Sequence, residues 1–159
     1  MKQNIEDCWD MPVFNGTLQK IQLISNTLSY GPIPEPEEEI EQHLTILANG
    51  QVFLSRYCYG QPDEGHKLIE KVSYKVSEES VNYIFAAISE YFGNEHDNCF
   101  VTDIGIWNVK LTDSEGISFE ENGSLLGIKS PKDGNLSDLI RKNLDRNDLF
   151  VFDGNHKFK

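Results

Sequence analysis

The feature that most constrains this chain is a pair of apolar-rich segments, residues 40–48 and 51–59, separated only by Asn49-Gly50. Asn-Gly accommodates the left-handed dihedrals of a type I′ turn, whose twist matches that of two paired strands. The spacing therefore predicts a β-hairpin with a two-residue turn, in which Ala48 pairs with Gln51. By counting, Ile46 then faces Phe53, Leu44 faces Ser55 and Gln42 faces Tyr57. Leu47–Val52, Thr45–Leu54 and His43–Arg56 fall on the other face, with Glu41 close to both His43 and Arg56. Apolar groups near the turn on both faces predict cover on both sides there.

Further elements follow from the same patterning. After the turn at residues 61–65, Leu68, Glu70, Val72, Tyr74 and Val76 alternate with polar residues as in a half-buried strand. Ser77 is a good helix N-cap, and Glu78 and Glu79 suit the positive end of the helix dipole. Gly93 fits a left-handed C-terminal position. Between them Val81, Ile84, Phe85, Ile88 and Phe92 form one apolar stripe, which leaves Glu79, Tyr83, Ala86 and Glu90 on the opposite face. Residues 100–112 resume strand character with Gly105, Trp107, Val109 and Leu111 on one face. A ring or the helix is expected over Gly105. A tight connection at residues 112–116 makes a second hairpin with residues 117–120. Asn135 can cap a helix through Leu144, with Leu136, Leu139, Ile140 and Leu144 inward and Asp138 placed to meet Lys142. The cations Arg141, Lys142 and Arg146 are accounted for by the dipole of that helix. Residues 149–152 read as a last apolar strand. Upstream, residues 17–30 fit a bent strand. The order is β-β-β-β-α-β-β-α-β. It implies an α+β fold, an antiparallel sheet built from hairpins with two helices packed on it.

A length of 159 residues, 38% of them apolar, suffices for one domain with its own core. Residues 1–159 are read as that single domain, with an acidic Pro/Glu-rich connector at 31–39. No apolar run reaches the roughly 18 residues of a membrane span, and the first ten residues lack signal-peptide character, so a cytoplasmic protein is expected. The three cysteines, Cys8, Cys58 and Cys99, are odd in number and scattered, which points to reduced thiols.

Charge is the strongest functional cue. Fourteen Lys and Arg oppose twenty-six Asp and Glu, giving a net charge of -12. Such a field opposes direct binding to nucleic acid or to an anionic membrane. The acidity is densest around residues 31–39, where Pro32, Pro34 and Pro36 hold the backbone extended.

Catalytic and cofactor motifs are not found in the sequence. His96-Asp97-Asn98-Cys99, with Cys58 and His66 as distant partners, is the nearest approach to metal-ligand spacing, and no second close pair completes it. The plainer reading makes Cys58 and Cys99 buried thiols, and His66 and His96 loop residues. There is no G-x-S-x-G elbow, and Gly123-Ser124-Leu125-Leu126-Gly127 lacks the lysine and the following helix of a phosphate loop. No catalytic residue, metal ligand or cofactor is assigned.

The stretches Leu136-Ser137-Asp138-Leu139-Ile140-Arg141, Asp148-Leu149-Phe150-Val151-Phe152-Asp153-Gly154 and Asp103-Ile104-Gly105-Ile106-Trp107 are similar to segments of uncharacterised small acidic proteins of Gram-positive bacteria. The resemblance implies a shared fold and transfers no site residues.

These observations predict a non-enzymatic acidic binding factor, an inhibitor or immunity-type antagonist that masks a basic surface of a nucleic-acid-handling protein. DNA-mimicking anti-CRISPR proteins offer the analogy. The expected contacts are Glu35, Glu37, Glu38, Glu39 and Glu41, with Tyr83 as an aromatic anchor. A tyrosine tucked under a loop and a merely solubilising arm are the plainer alternatives. A small hydrolase with a site assembled only in the fold, marked by a deep cavity with His43, His66 or His96 beside Cys or carboxylates, is the alternative class. A structural or assembly subunit is another.

Overall fold

The computed structural model describes residues 12–29, 31–98, 100–101 and 103–155. Its centre is a six-stranded antiparallel sheet made of β1 (Leu18–Asn26), β2 (Glu39–Leu47), β3 (Gln51–Cys58), β4 (Lys67–Lys75), β5 (Ile106–Asp113) and β6 (Ser118–Ser124). The spatial order is β4-β3-β2-β1-β5-β6. Helix α1 (Glu78–Phe92) carries the chain from edge strand β4 back to β5, beside β1. A small hairpin of β7 (Lys129–Ser130) and β8 (Gly134–Asn135) leads into α2 (Leu136–Leu144). The fold is α+β, with both helices on one face of the sheet. Alternate strand residues supply that face: Ile21 and Leu23, Leu44 and Ile46, Val52 and Leu54, Val109 and Leu111 are all buried. They meet Val81, Ile84, Ala87, Ile88 and Phe92 of α1 and Leu136, Ile140 and Leu144 of α2 in one cluster. Each such side chain stabilises the fold by roughly 1.5–3 kcal/mol through removal from water.

The central hairpin forms where the sequence predicts it, but one residue out of register. Ile46 pairs with Val52, Leu44 with Leu54 and Gln42 with Arg56. Gly50 N–H donates to Leu47 O across the turn (2.9 Å), and Gly50 takes a φ of 97°. Among the described residues Asn49 is not one of those with positive φ, so the turn is a three-residue type I turn closed by a glycine bulge, not a type I′ turn. The reason is hydrophobic matching. The longer turn puts Leu44, Ile46, Val52 and Leu54 on one face, whereas the two-residue turn would set Phe53 against Ile46. The other face is consequently open rather than covered, and Phe53 is 41% exposed on it.

Helix α1 has the expected N-cap: Ser80 N–H donates to Ser77 Oγ (3.1 Å). Tyr91 joins its buried face, while Phe85 is only half-buried. At its end Gly93 is right-handed (φ -85°), not left-handed; a Cβ there would lie 2.5 Å from Ser89 O. Strand β5 starts at Ile106, later than predicted, and Phe100 is exposed. The nearest described atoms over Gly105 are backbone, not a ring or the helix. A side chain there would meet Asn26 O, the backbone at the end of β1.

The largest departure is at residues 149–152, which form a buried run of turns and not a strand. Leu149, Val151 and Phe152 are almost fully buried, and Val151 adopts a φ of 46° that is strained for a β-branched residue. Without a ladder, the backbone must find other partners. Ser25 Oγ donates to Val151 O (2.6 Å), and Phe150 N–H donates to Gln42 Oε1 (2.7 Å). Gln42 Nε2 donates to Asp148 O (2.9 Å), and Phe152 N–H donates to Ser137 Oγ (3.1 Å). Arg141 Nε donates to Leu149 O (2.9 Å). These contacts explain why Ser25, Gln42, Ser137 and Arg141 are buried.

Candidate functional site

The Pro/Glu arm is fastened to the sheet by its backbone: Tyr59 N–H donates to Glu38 O (2.9 Å) and Gly60 N–H to Pro36 O (2.8 Å). The five glutamates expected to act together separate into two groups. Glu35, Glu37 and Glu38 are exposed and have no cation partner among the described residues. Glu39 and Glu41 lie in β2 and are engaged internally. Glu39 binds Arg56 through both carboxylate oxygens (2.7 Å each), and Glu41 accepts from Asn26 Nδ2 and pairs with His43. Tyr83 is 60% exposed on α1. It stands in the second turn of a helix whose entry adjoins the β2–β3 turn, where Val76 N–H donates to Gly50 O. The arm adjoins the opposite end of β3. A nine-residue strand measures about 30 Å, so the structure does not bring Tyr83 and the arm together.

All three arginines are bound by carboxylates, and the helix dipole alone does not account for Arg141 and Arg146. Arg146 pairs with Asp148 (2.7 Å) and Glu70 (3.2 Å), and Glu70 also takes Arg56 (2.5 Å). The guanidinium groups of Arg56 and Arg146 hold the Glu70 carboxyl below its ordinary range, and Arg146 does the same for Asp148. Arg141 is anchored to Asp138 and Asp153, so Asp138 meets Arg141 and not Lys142. No ion pair involves a described lysine. Lys20, Lys71, Lys75 and Lys110 instead share the open face of the sheet.

The second feature is a cavity of about 740 Å³ between the end of α1, the loop that follows it, β5–β6 and the β7–β8 hairpin. His96, a loop residue as expected, borders it with its side chain only 5% exposed. Its Nε2 lies 2.8 Å from Glu121 Oε2, and its Nδ1 lies 2.7 Å from Asn94 O. Both ring nitrogens face oxygen atoms, one from the Asn94 carbonyl and one from the buried Glu121 carboxyl group. The ring also packs on Tyr91 and Phe92, and burial pushes the Tyr91 hydroxyl up to about 12.

Asn98 donates through Nδ2 to Glu121 Oε2 (3.0 Å) and to Asn122 O (2.7 Å), which fixes the sense of its amide. Its buried Oδ1 then has no donor among the described residues. Trp107 packs against Gly123, where a Cβ would clash with the indole ring, and its buried Nε1–H has no acceptor among the described residues. Each unpaired group of this kind costs about 1–3 kcal/mol.

A histidine beside a carboxylate at a cavity is the geometry named above for a hydrolase. Here both imidazole nitrogens are occupied, and Ser124 and Ser130, the serines that line the cavity, bond to Val101 and Asp133 rather than to His96. No nucleophile–base contact is present among the described residues. Those residues also hold no group of three metal-ligating side chains; Cys58 is buried, and Cys8 and Cys99 lie outside the described residues. No described helix is long and apolar enough to cross a membrane. Sequence reasoning missed the cavity because its walls come from four separate segments. The one available signal was a tryptophan facing a glycine across two strands. Comparison with protein-family models, with curated proteins and with solved structures finds no match.

Proposed function

We propose that this is a non-enzymatic binding factor that docks on a basic surface of another protein, in the manner of an inhibitor or immunity-type antagonist. The observation that carries the reading is the composition of one end of the sheet. Leu68 and Ile69, at the start of β4, are 47% and 46% exposed, and they adjoin the strand end to which the Glu35, Glu37 and Glu38 arm is fastened. Aliphatic groups flanked by unpaired acids match the anatomy of a protein interface, with an apolar centre for residence time and a charged rim for encounter rate. Lys20, Lys71, Lys75 and Lys110 lie on the open sheet face, and Lys67 is the described lysine that adjoins this end. Glu39 and Glu41 serve the reading as supports of the strand that carries the arm, and Tyr83 belongs to a separate surface.

Affinity capture from host extract at low and high salt, with wild type beside E35K/E37K/E38K and L68S variants, tests this. The expected result is a basic protein held by wild type, released by salt and lost by both variants. Equal recovery on the charge-reversed protein overturns it.

A further inference from the structure

The open face of the sheet is a surface distinct from the Pro/Glu arm, and the pairing registers fix how its side chains are arranged. Phe53, Thr45, Gln22 and Lys110 share one row across β3, β2, β1 and β5. Ser55, His43, Ile24 and Asn108 share the next, and Ile106 stands one row further on, opposite Asn26. Phe53, Ile24 and Ile106 are 41%, 40% and 50% exposed, on the side of the sheet turned away from both helices. They mark a diagonal that crosses three strand spacings and two rows, about 20 Å in all. His43 lies on that diagonal, and its ring packs on Tyr57 with centroids 4.9 Å apart. Lys20 and Lys110 run along the β1–β5 flank, and Lys71 and Lys75 stand at the β4 end. None of the four forms an ion pair among the described residues. Glu41 on the same face is engaged by Asn26 and His43, and Glu120 stands opposite Lys110 in the ladder.

We propose that this face receives an amphipathic helix of a partner protein, its apolar side on the Phe53–Ile24–Ile106 diagonal and its carboxylates along the flank that meets Lys20 and Lys110. The backbone selects the form of the occupant. Strands β3, β2, β1 and β5 each have a neighbour on both sides, so the face offers side chains and no free ladder groups. An extended segment laid on it would bury its own N–H and C=O groups unpaired, whereas a helix satisfies them internally. The length agrees: about 20 Å is covered by roughly 13 helical residues, with apolar side chains at i, i+4, i+7 and i+11. Charge selects the sign of the flank. In a chain of net charge -12, the lysines on this face complement acids on the incoming helix. A nucleic-acid strand would instead bring a phosphate at every nucleotide into the surrounding negative field.

The experiment is a fluorescence anisotropy titration of a fluorescein-labelled helical peptide with full-length protein, the site being located by amide shifts of ¹⁵N-labelled protein. The peptide has about fifteen residues, leucine at i, i+4, i+7 and i+11, glutamate along one flank and alanine elsewhere. Beside it stand the same peptide with lysine for glutamate, a scramble that destroys the leucine stripe, and a labelled oligothymidylate. The expected result is saturable binding of the acidic peptide that weakens with salt, with shifts centred on Ile24, His43 and Phe53. K20E/K110E and Ile24→Ser should each bind about tenfold more weakly or worse. The proposal is overturned if the acidic peptide does not saturate at millimolar protein, if the lysine or scrambled peptide binds equally well, or if oligothymidylate binds tighter. Shifts centred on the helices, or on Leu68 and Ile69, overturn it as well. The comparison among peptides uses wild-type protein throughout, so the folding of a variant does not decide it. E35K/E37K/E38K should bind the peptide at least as well as wild type, so this surface and the arm succeed or fail separately.

Discussion

Two regions bury irregular backbone against the same sheet and treat it in opposite ways. Around residues 148–153, Ser25, Gln42, Ser137 and Arg141 are buried and each bonds a main-chain group of the loop. Around the cavity, His96, Asn98 and Glu121 bond one another, yet the network ends on an acceptor and a donor without partners. A closed network adds stability and leaves nothing for a ligand to satisfy. An open one forgoes part of that stability. The difference separates a fully satisfied plug from a network that carries an unpaired cost.

The contrast can be broken most severely at Arg141. Arg141→Ala leaves Asp153 and the carbonyl of Leu149 without their cation, and a loss of about 3–5 kcal/mol in denaturant unfolding is expected. Gln42→Leu removes the acceptor of Phe150 N–H and the donor to Asp148 O, and should cost about 1–3 kcal/mol by the same measurement. On the cavity side Tyr91→Phe deletes one long hydrogen bond, to Asp97 O at 3.3 Å, with an expected cost of about 0.5–1.5 kcal/mol at neutral pH.

The same tyrosine gives an alkaline signature. Its folded value of about 12 exceeds the ordinary value near 10. Its contribution is therefore complete below pH ~10 and is lost as pH rises toward the folded value, so thermal melts of the Phe variant should fall less steeply in that window. Glu70 and Asp148 have the opposite sign. Their folded values are depressed, so their contribution is present above about pH 4 and is lost as pH falls below it. Both are partly exposed, which limits each pair to about 0–1 kcal/mol. The smallest effect belongs to E35K/E37K/E38K. With no internal cation partners to lose, it should leave stability within about 0.5 kcal/mol of wild type.

What the sequence revealed follows from how local each signal is. Ser77 and Asn135 cap their helices as their side chains dictate, and the period of Val81, Ile84 and Ile88 sets which face of α1 is buried. The hairpin was legible in position but not in register, because Asn49-Gly50 suits two turns and the distant core chooses between them. Residues 149–152 read as a strand because their apolar run satisfies that pattern equally well. Only the positions of Ser25 and Gln42, more than a hundred residues upstream, convert it into a loop. The candidate site was less visible still. Glu39 and Glu41 differ from Glu35 and Glu37 through their places in β2: His43 meets Glu41 from the same strand, whereas Arg56 becomes the partner of Glu39 only once β2 and β3 are paired. The orphaned donor of Trp107 depends on β5 and β6 lying side by side.

The buried position of Phe152 has a consequence for synthesis. Its ring closes a core whose other walls, Phe92 and Trp107, are translated long before it. A nascent chain can assemble the β1–β4 meander early, but it exposes that apolar face until the segment around Phe152 emerges from the ribosome. Premature stops anywhere ahead of that codon should yield sticky, chaperone-dependent fragments in place of a smaller folded protein.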